Sequence, residues 1–264
     1  VLMELLTFSE EQLGAYLGQF LWPLFRVMGF LMVAPVIGSQ LVPTRIRLII
    51  AVAIAVLIAP VLPDMPQVQG LSVQAMLLVG QQLLIGLSLG FFLQMVFQTF
   101  VLAGQMIAMQ MGLGFASMMD PTNGVNVAVV SSFYLMFVTM LFISLDGHLT
   151  MLEVLVESFR SLPISLDFNF ANTSLLAIIS SISWIFSSAM IIALPALTAL
   201  LITNVAFGIM TRAAPQLNIF ALGFPVSLLL GVFLMWLTLP AVAESAANLF
   251  EQAFIRMAQL TNQQ

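Results

Sequence analysis

Few residues in this chain have types and spacing that could do covalent chemistry. His148 is the one histidine, and it follows Asp146-Gly147. A lone imidazole beside one carboxylate is short of a metal site, which takes three or four ligands. It is also short of a catalytic triad, which needs a positioned nucleophile. Asp146-Gly147 suits a turn into a following helix instead. Cysteine is absent, which removes disulfides, thiolate zinc sites, iron–sulfur clusters and cysteine nucleophiles together. Ser180, Ser183 and Ser187 share a helical face but have no His/Asp partners, so they read as helix–helix packing. The residues therefore predict no catalytic, cofactor or metal site.

What remains is polar chemistry inside apolar sequence. Arg26 lies within the first apolar block. A charge there marks a functional or subunit-packing position by default, and it otherwise meets an acid or a carbonyl or reaches out of the apolar layer. Gln94, Gln98 and Gln105 fall on one face of a helix, and Gly86 and Gly90 extend that face at spacings of four. Such a stripe packs against protein or lines a watery path, and packing, including packing between subunits, is the stronger expectation.

The segment 109–124 joins two apolar blocks yet is itself largely apolar. Met106, Met109, Met111, Met118 and Met119 lie within it or just before it. Methionine is flexible and adapts to irregular surfaces. Gly112 and Gly114 relax the backbone, and Asp120-Pro121 and Asn123-Gly124 mark turns. Two readings stand level. The segment is a connection buried against neighbouring helices, or it is a soft seal that closes a pore by excluding water. Arg212 to Asn218 forms a short polar tip between long apolar helices, which suits docking as well as a plain helical hairpin.

These residues must be positioned by an unusual composition. Of 264 residues, 61% are hydrophobic and 6% charged, against about 45–50% and about 25% in soluble domains. A free soluble globule is excluded. All basic residues are arginines, the formal charge is -5, and no basic cluster exists, so strong nucleic-acid binding is excluded too. Apolar blocks fall at roughly 13–37, 46–62, 71–111, 125–145, 172–210 and 217–243. The class is an all-α integral membrane protein. Two blocks, 71–111 and 172–210, would be about 60 Å long as helices, twice the roughly 30 Å of a bilayer core. Either they break, with a kink at Pro195, or protein rather than lipid covers part of them. The 149–162 stretch is amphipathic, with Glu157 three residues before Arg160. A polar stretch at 163–173 is the best internal boundary. The distribution of arginines tilts the termini to the outside of the membrane.

In order along the chain, several motifs resemble one family. They are Phe20-Leu-Trp-Pro-Leu-Phe-Arg-Val27, Ala34-Pro35 and Pro43-x-Arg45-x-Arg47, then Gln110-Met-Gly-Leu-Gly-Phe-Ala116 with Asp120-Pro121. Asp146-Gly-His148, Leu162-Pro163, Arg212-Ala-Ala-Pro-Gln-Leu-Asn-Ile-Phe220 and Gly223-Phe-Pro225 follow. Together they resemble the FliR family of flagellar export-gate proteins and, more distantly, its injectisome counterparts. The resemblance implies a non-enzymatic core subunit in the bacterial inner membrane, within the flagellar basal body. It implies FliP and FliQ as partners in a narrow pore, FlhB as an associate, and unfolded export substrates in transit.

It also implies long bent hairpins resembling a fused FliP-like part, residues 1–168, and FliQ-like part, residues 169–264. By resemblance the pore plug comprises Gln110, Met111, Gly112, Leu113, Gly114, Phe115, Ala116, Met118, Met119, Asp120 and Pro121. Phe115 would obstruct, the glycines would let the loop move, and the methionines would pad it. Arg212, Pro215, Gln216 and Asn218 would form a cytoplasmic tip near FlhB. A small-solute secondary transporter is the alternative. It would place ionisable groups near the midplane, where only Arg26 is deep.

Overall fold

The computed structural model describes residues 10–62, 66, 72–114, 117–120, 126–165, 172–213 and 219–261. The protein is an all-α integral membrane protein whose helices follow the apolar blocks in order. They are α1 Glu10–Val33, α2 Thr44–Ile58 with a 3-10 turn at Ala59–Val61, and α3 Val73–Gln110. Then come α4 Val129–Ser144, α5 Gly147–Ser161, α6 Asn172–Ala213 and α7 Ile219–Thr261. Among the described residues, Thr44–Val61, Val73–Gln110, Ser181–Ala213 and Gly223–Gln259 are long and apolar enough to cross a membrane. The apolar part of α1, Gly18–Val33, is shorter.

The over-long blocks do not break. α3 has 38 residues, α6 42 and α7 43, or about 57, 63 and 65 Å of helix. α6 continues through Pro195, and α7 through Pro225 and Pro240. α7 also passes the expected end near 243. Residues 241–258 are rich in alanine, and helix propensity carries on where Glu244 and Glu251 end the apolar run. Ser183 and Ser187 are exposed, whereas Ser181 is buried. Ser183 and Ser187, predicted to pack, are therefore not covered by this chain, and the Ser180 side chain lies outside the described residues.

Between α3 and α4 lies a short antiparallel ribbon, β1 Ser117–Met119 and β2 Asn126–Ala128. Ser117 pairs with Ala128, Met118 with Val127 and Met119 with Asn126. Met118 and Met119, expected in a loop, are thus in a strand. Paired short strands on either side of turn residues form a ribbon wherever their backbones can bond each other.

The chain forms two compact units that interleave along the sequence. The first is Val1–Gln94, His148–Ala177 and Ala253–Gln264; the second is Met95–Gly147 and Ile178–Gln252. In the first, α1 lies beside the N-terminal half of α3. A Cβ at Gly86 would meet the Phe30 nitrogen at 2.8 Å and also strike the Arg26 carbonyl oxygen. One at Gly90 would sit 2.7 Å from Phe30 O, and one at Gly29 2.7 Å from Leu83 O. Absent side chains let the two backbones touch. Arg26 meets Gln82, an offset of 56, and Phe30–Gly86 and Ala34–Gly90 keep the same offset. A constant offset means that α1 and this half of α3 run parallel, as the crossover through α2 requires.

In the second unit α3 and α4 run antiparallel. Ser131 Oγ donates to Val101 O at 2.8 Å, and a Cβ at Gly104 would lie 2.7 Å from Ser131 Cα. Further along, Phe97 meets Phe142 with ring centroids 5.3 Å apart, and both meet Phe250, at 5.4 and 5.1 Å.

Candidate functional site

α3 ends at a built cap. Leu113 N–H donates to Ala108 O at 2.9 Å, and Gly112 N–H donates to Met109 O at 3.2 Å. Gly112 has φ +82. This pair of bonds with a left-handed residue between them is a Schellman motif, and glycine is the residue that adopts it without strain. The freedom of Gly112 is used to stop the helix at a defined place.

The cap itself is seated on the α6–α7 hairpin. Met111 is buried, and a Cβ on Gly231 would come within 2.5–2.6 Å of its Cγ, Cε and Sδ. Met111 therefore fills the notch left where α7 has no side chain. The Phe224 ring covers Gly112, at 3.1 Å from where a Cβ would stand. Met109 folds back over Gly114, with Sδ 2.5 Å from a Cβ there.

Cavities open on both sides of Met111. One, about 430 Å³, is lined by Met109, Gln110, Phe207, Thr211, Phe224 and Ser227 among others. The other, about 360 Å³, is apolar and includes Leu113, Val130, Phe133, Met235 and Trp236. Asp120, just after β1, is buried. Phe115, Ala116 and Pro121 lie outside the described residues, as do Pro215, Gln216 and Asn218 at the α6–α7 tip. Arg212 is exposed on the last turn of α6.

Three members of the polar-and-small stripe, Gly86, Gly90 and Gln105, make contacts inside their own chain. Gly86 and Gly90 receive α1, as described. Gln105 Oε1 accepts from Ala128 N–H at 3.2 Å and lies 3.4 Å from Ser131 Oγ, whose proton goes to Val101 O. It thereby fixes where the chain enters α4. Gln94 and Gln98 are half-buried on the same helix.

Arg26 is wholly buried. Its Nε donates to Gln82 Oε1 at 2.7 Å and its Nη2 to Leu162 O at 2.8 Å. Nη1 donates to Ser158 O at 2.7 Å and to Ser158 Oγ at 3.3 Å. The Phe159 ring lies 4.2 Å from Cζ, within cation–π range. The guanidinium thus meets the last carbonyls of α5, where the helix dipole favours a cation. Sequence reasoning singled out Arg26 and missed Gln82. Its signal was present: Gln82, Gly86 and Gly90 recur every four residues on one face.

Among the described residues no group of three or more His, Asp or Glu side chains gathers as a metal site would require. The described part of the site is a capped helix end held by packing and hydrogen bonds.

Comparison with known proteins gives this arrangement its context. Residues 17–253 match the family model described as bacterial export proteins, family 1. The chain is 37% identical over 259 residues to flagellar biosynthetic protein FliR of Pectobacterium carotovorum subsp. carotovorum, covering 98% of each. It is 37% identical over 261 residues to FliR of Escherichia coli (strain K12), again covering 98% of each. FliR of Aquifex aeolicus (strain VF5) is 30% identical over 230 residues, 87% of this chain and 88% of that one. With a family match across most of its length and relatives this similar end to end, the chain belongs to the FliR family of bacterial export proteins.

Proposed function

We propose that this chain, a component of the flagellar export apparatus, forms the export pore with FliP-like and FliQ-like subunits and closes it with residues 110–121. It does no covalent chemistry, resides in the bacterial inner membrane within the basal body, and passes unfolded substrates. Residues 1–168 act as its FliP-like part and 169–264 as its FliQ-like part. That division concerns likeness to two partners and is independent of the interleaved compact units. Arg212, Pro215, Gln216 and Asn218 form a cytoplasmic tip that meets an FlhB-like protein.

One observation carries the proposal: the Met/Gly segment is fixed at both ends. Its start leaves a Schellman cap with Met111 seated on Gly231, and its return is pinned by the ribbon and by Gln105. A seal must be soft in the middle and anchored at its edges, and methionine supplies the softness. A solute-transport role has less support. The deep cation it would use, Arg26, is enclosed by its own chain's acceptors.

The test is removal of residues 112–118 in cells carrying the whole apparatus, with complex assembly checked on native gels. Raised leak of small ions at normal assembly is expected. Unchanged leak with normal export would sink the plug assignment. Co-purification with FliP-, FliQ- and FlhB-like proteins tests the partners.

A further inference from the structure

A segment that seals a pore needs a root that holds still, and α6 contributes a residue placed for that task. Asn204 is the one carboxamide in the apolar run Ser181–Ala213. An amide in such a run is costly unless its groups find partners. Asn204 Nδ2 donates to Gln110 O at 3.4 Å, and Asn204 Oδ1 accepts from Ser227 Oγ at 3.1 Å. Gln110 is the last residue of α3, and its carbonyl is among those that a helix end leaves without a partner. One side chain of α6 therefore joins the end of α3 to α7.

The α7 contacts of the same joint, two by packing and one by a hydrogen bond, come from one face of the helix. Phe224, Ser227 and Gly231 are spaced three and four apart, and they meet Gly112, Asn204 and Met111 respectively.

We propose that Asn204 is a positioning residue for the pore-closing segment, tying its root at Gln110 to the α6–α7 hairpin through Ser227. This rests on the assignment of residues 110–121 as the seal. Packing of Met111 on Gly231 sets the distance between root and hairpin. The hydrogen-bonded chain sets direction, because an amide with one donor and one acceptor engaged cannot turn freely. The Asn204–Gln110 contact is long for an N–H···O bond. It is therefore a restraint that the root can leave and rejoin.

Two readouts separate the tie from the seal. The chain has no cysteine, so Leu113→Cys provides a single thiol beside the root. Its alkylation rate is measured in the complete detergent-solubilised complex, with and without Asn204→Leu. Small-ion leak is measured in cells with the same variants and with residues 112–118 removed. Loss of one restraint of this kind should raise alkylation roughly two- to tenfold, the range a modest net hydrogen bond allows. Asn204→Gln, which carries the same amide on a longer arm, should restore most of the slow rate. Ser227→Ala should act in the same direction as Asn204→Leu, and combining the two should add little.

An alkylation rate unchanged in Asn204→Leu overturns the tie, whatever the leak does. If Asn204→Leu fails to assemble, Ser227→Ala decides, and an unchanged rate there overturns it equally. Faster alkylation together with leak supports tie and seal. Faster alkylation with no leak, even after removal of 112–118, supports the tie and sinks the seal.

Discussion

Arg26 and Gln82 make an unequal pair, and the inequality predicts a change of sign. With Arg26 in place, Gln82 Oε1 accepts a charge-assisted bond of 2.7 Å, while Gln82 Nε2 is buried without a partner among the described residues. Arg26→Met removes the guanidinium and keeps most of the volume. Ser158 O keeps a donor, Leu162 N–H at 3.0 Å. Leu162 O and Gln82 Oε1 lose theirs.

Two acceptors left bare, Gln82 Oε1 buried and Leu162 O half-buried, cost about 1–3 kcal/mol each, the half-buried one at the low end. The lost cation–π contact with Phe159 adds about 0.5–2 kcal/mol. Against this stands the relief of no longer burying a charge, which is several kcal/mol. A net loss of about 2–4 kcal/mol is expected, because desolvation is offset in the parent by donors already paired.

Gln82→Leu then has opposite effects in the two backgrounds. With Arg26 present it strips a charged donor of its acceptor, which costs about 1–3 kcal/mol or more, and removal of the unpartnered Nε2 offsets part of that loss. In the Arg26→Met background it removes an orphaned acceptor and an orphaned donor together, and stabilises by about 2–6 kcal/mol. The coupling energy is therefore about 2–6 kcal/mol, far above the roughly 0.5 kcal/mol of independent sites. The assay is reversible unfolding of the purified chain in mixed micelles, followed by tryptophan fluorescence, for parent, two single variants and the double variant. A Gln82→Leu effect of the same sign and size in both backgrounds would refute the account of Arg26 as a carbonyl-held cation that Gln82 serves.

Two further changes report on backbone geometry in the same assay. Gly86→Val should destabilise by about 2–4 kcal/mol, because its Cβ would run into the backbone of α1. Gly80→Ala is the control on the same helix: nothing lies within 4 Å of its Cβ, so better helix propensity should stabilise by up to about 1 kcal/mol. Val36 has φ +67, a strained choice for a β-branched residue. Val36→Gly should raise stability by about 1 kcal/mol, and a loss would mean that the left-handed turn at Val36 is not strained.

The helices were legible in the sequence because a bilayer-sized apolar run admits few other structures. The six blocks and the amphipathic stretch at 149–162 fall on α1 to α7 to within a few residues, except at the end of α7. There, helix propensity outlasts hydropathy, and a reading keyed to apolar length stops early. The Glu157–Arg160 pair, read from spacing three, stands at 3.3 Å on the exposed face of α5. Contacts between distant segments were hidden. Arg26 asked for a carbonyl or an acid, and nothing local says that the answer is Ser158 and Leu162, 132 and 136 residues away. Asn204 had a clear signal, a lone amide in an apolar helix, yet its partners are set by how α3, α6 and α7 meet. Gly112 was visible as a residue of unusual freedom, but only the bonds around it show that the freedom ends a helix.

The polar side chains at helix ends and turns, from buried Arg26 to exposed Asn204, share a task that the composition explains. Arg26 meets the last carbonyls of α5, Asn204 the last carbonyl of α3, and Gln105 the N–H at the entry to α4. Arg47 donates to Ser39 O and to Val42 O, the latter at 3.1 Å, in the turn before α2. Helix ends and turns are where backbone groups lack partners. In bulk water they need none from the protein, whereas in an apolar setting each bare group costs several kcal/mol. A chain with 6% charged residues that sets arginine and amide side chains at such places supplies from itself the partners that an apolar setting would withhold. Meanwhile 17% of the residues in the most apolar 18-residue stretches of α2 and α7 are buried by their own chain and 28% in that of α6, against 50% in that of α3. The outer faces of α2, α6 and α7 are thus surfaces that lipid or neighbouring subunits must cover. An export component built this way can meet an assembly along apolar helix flanks while its own polar ties keep each helix end, and the segment rooted on α3, in register.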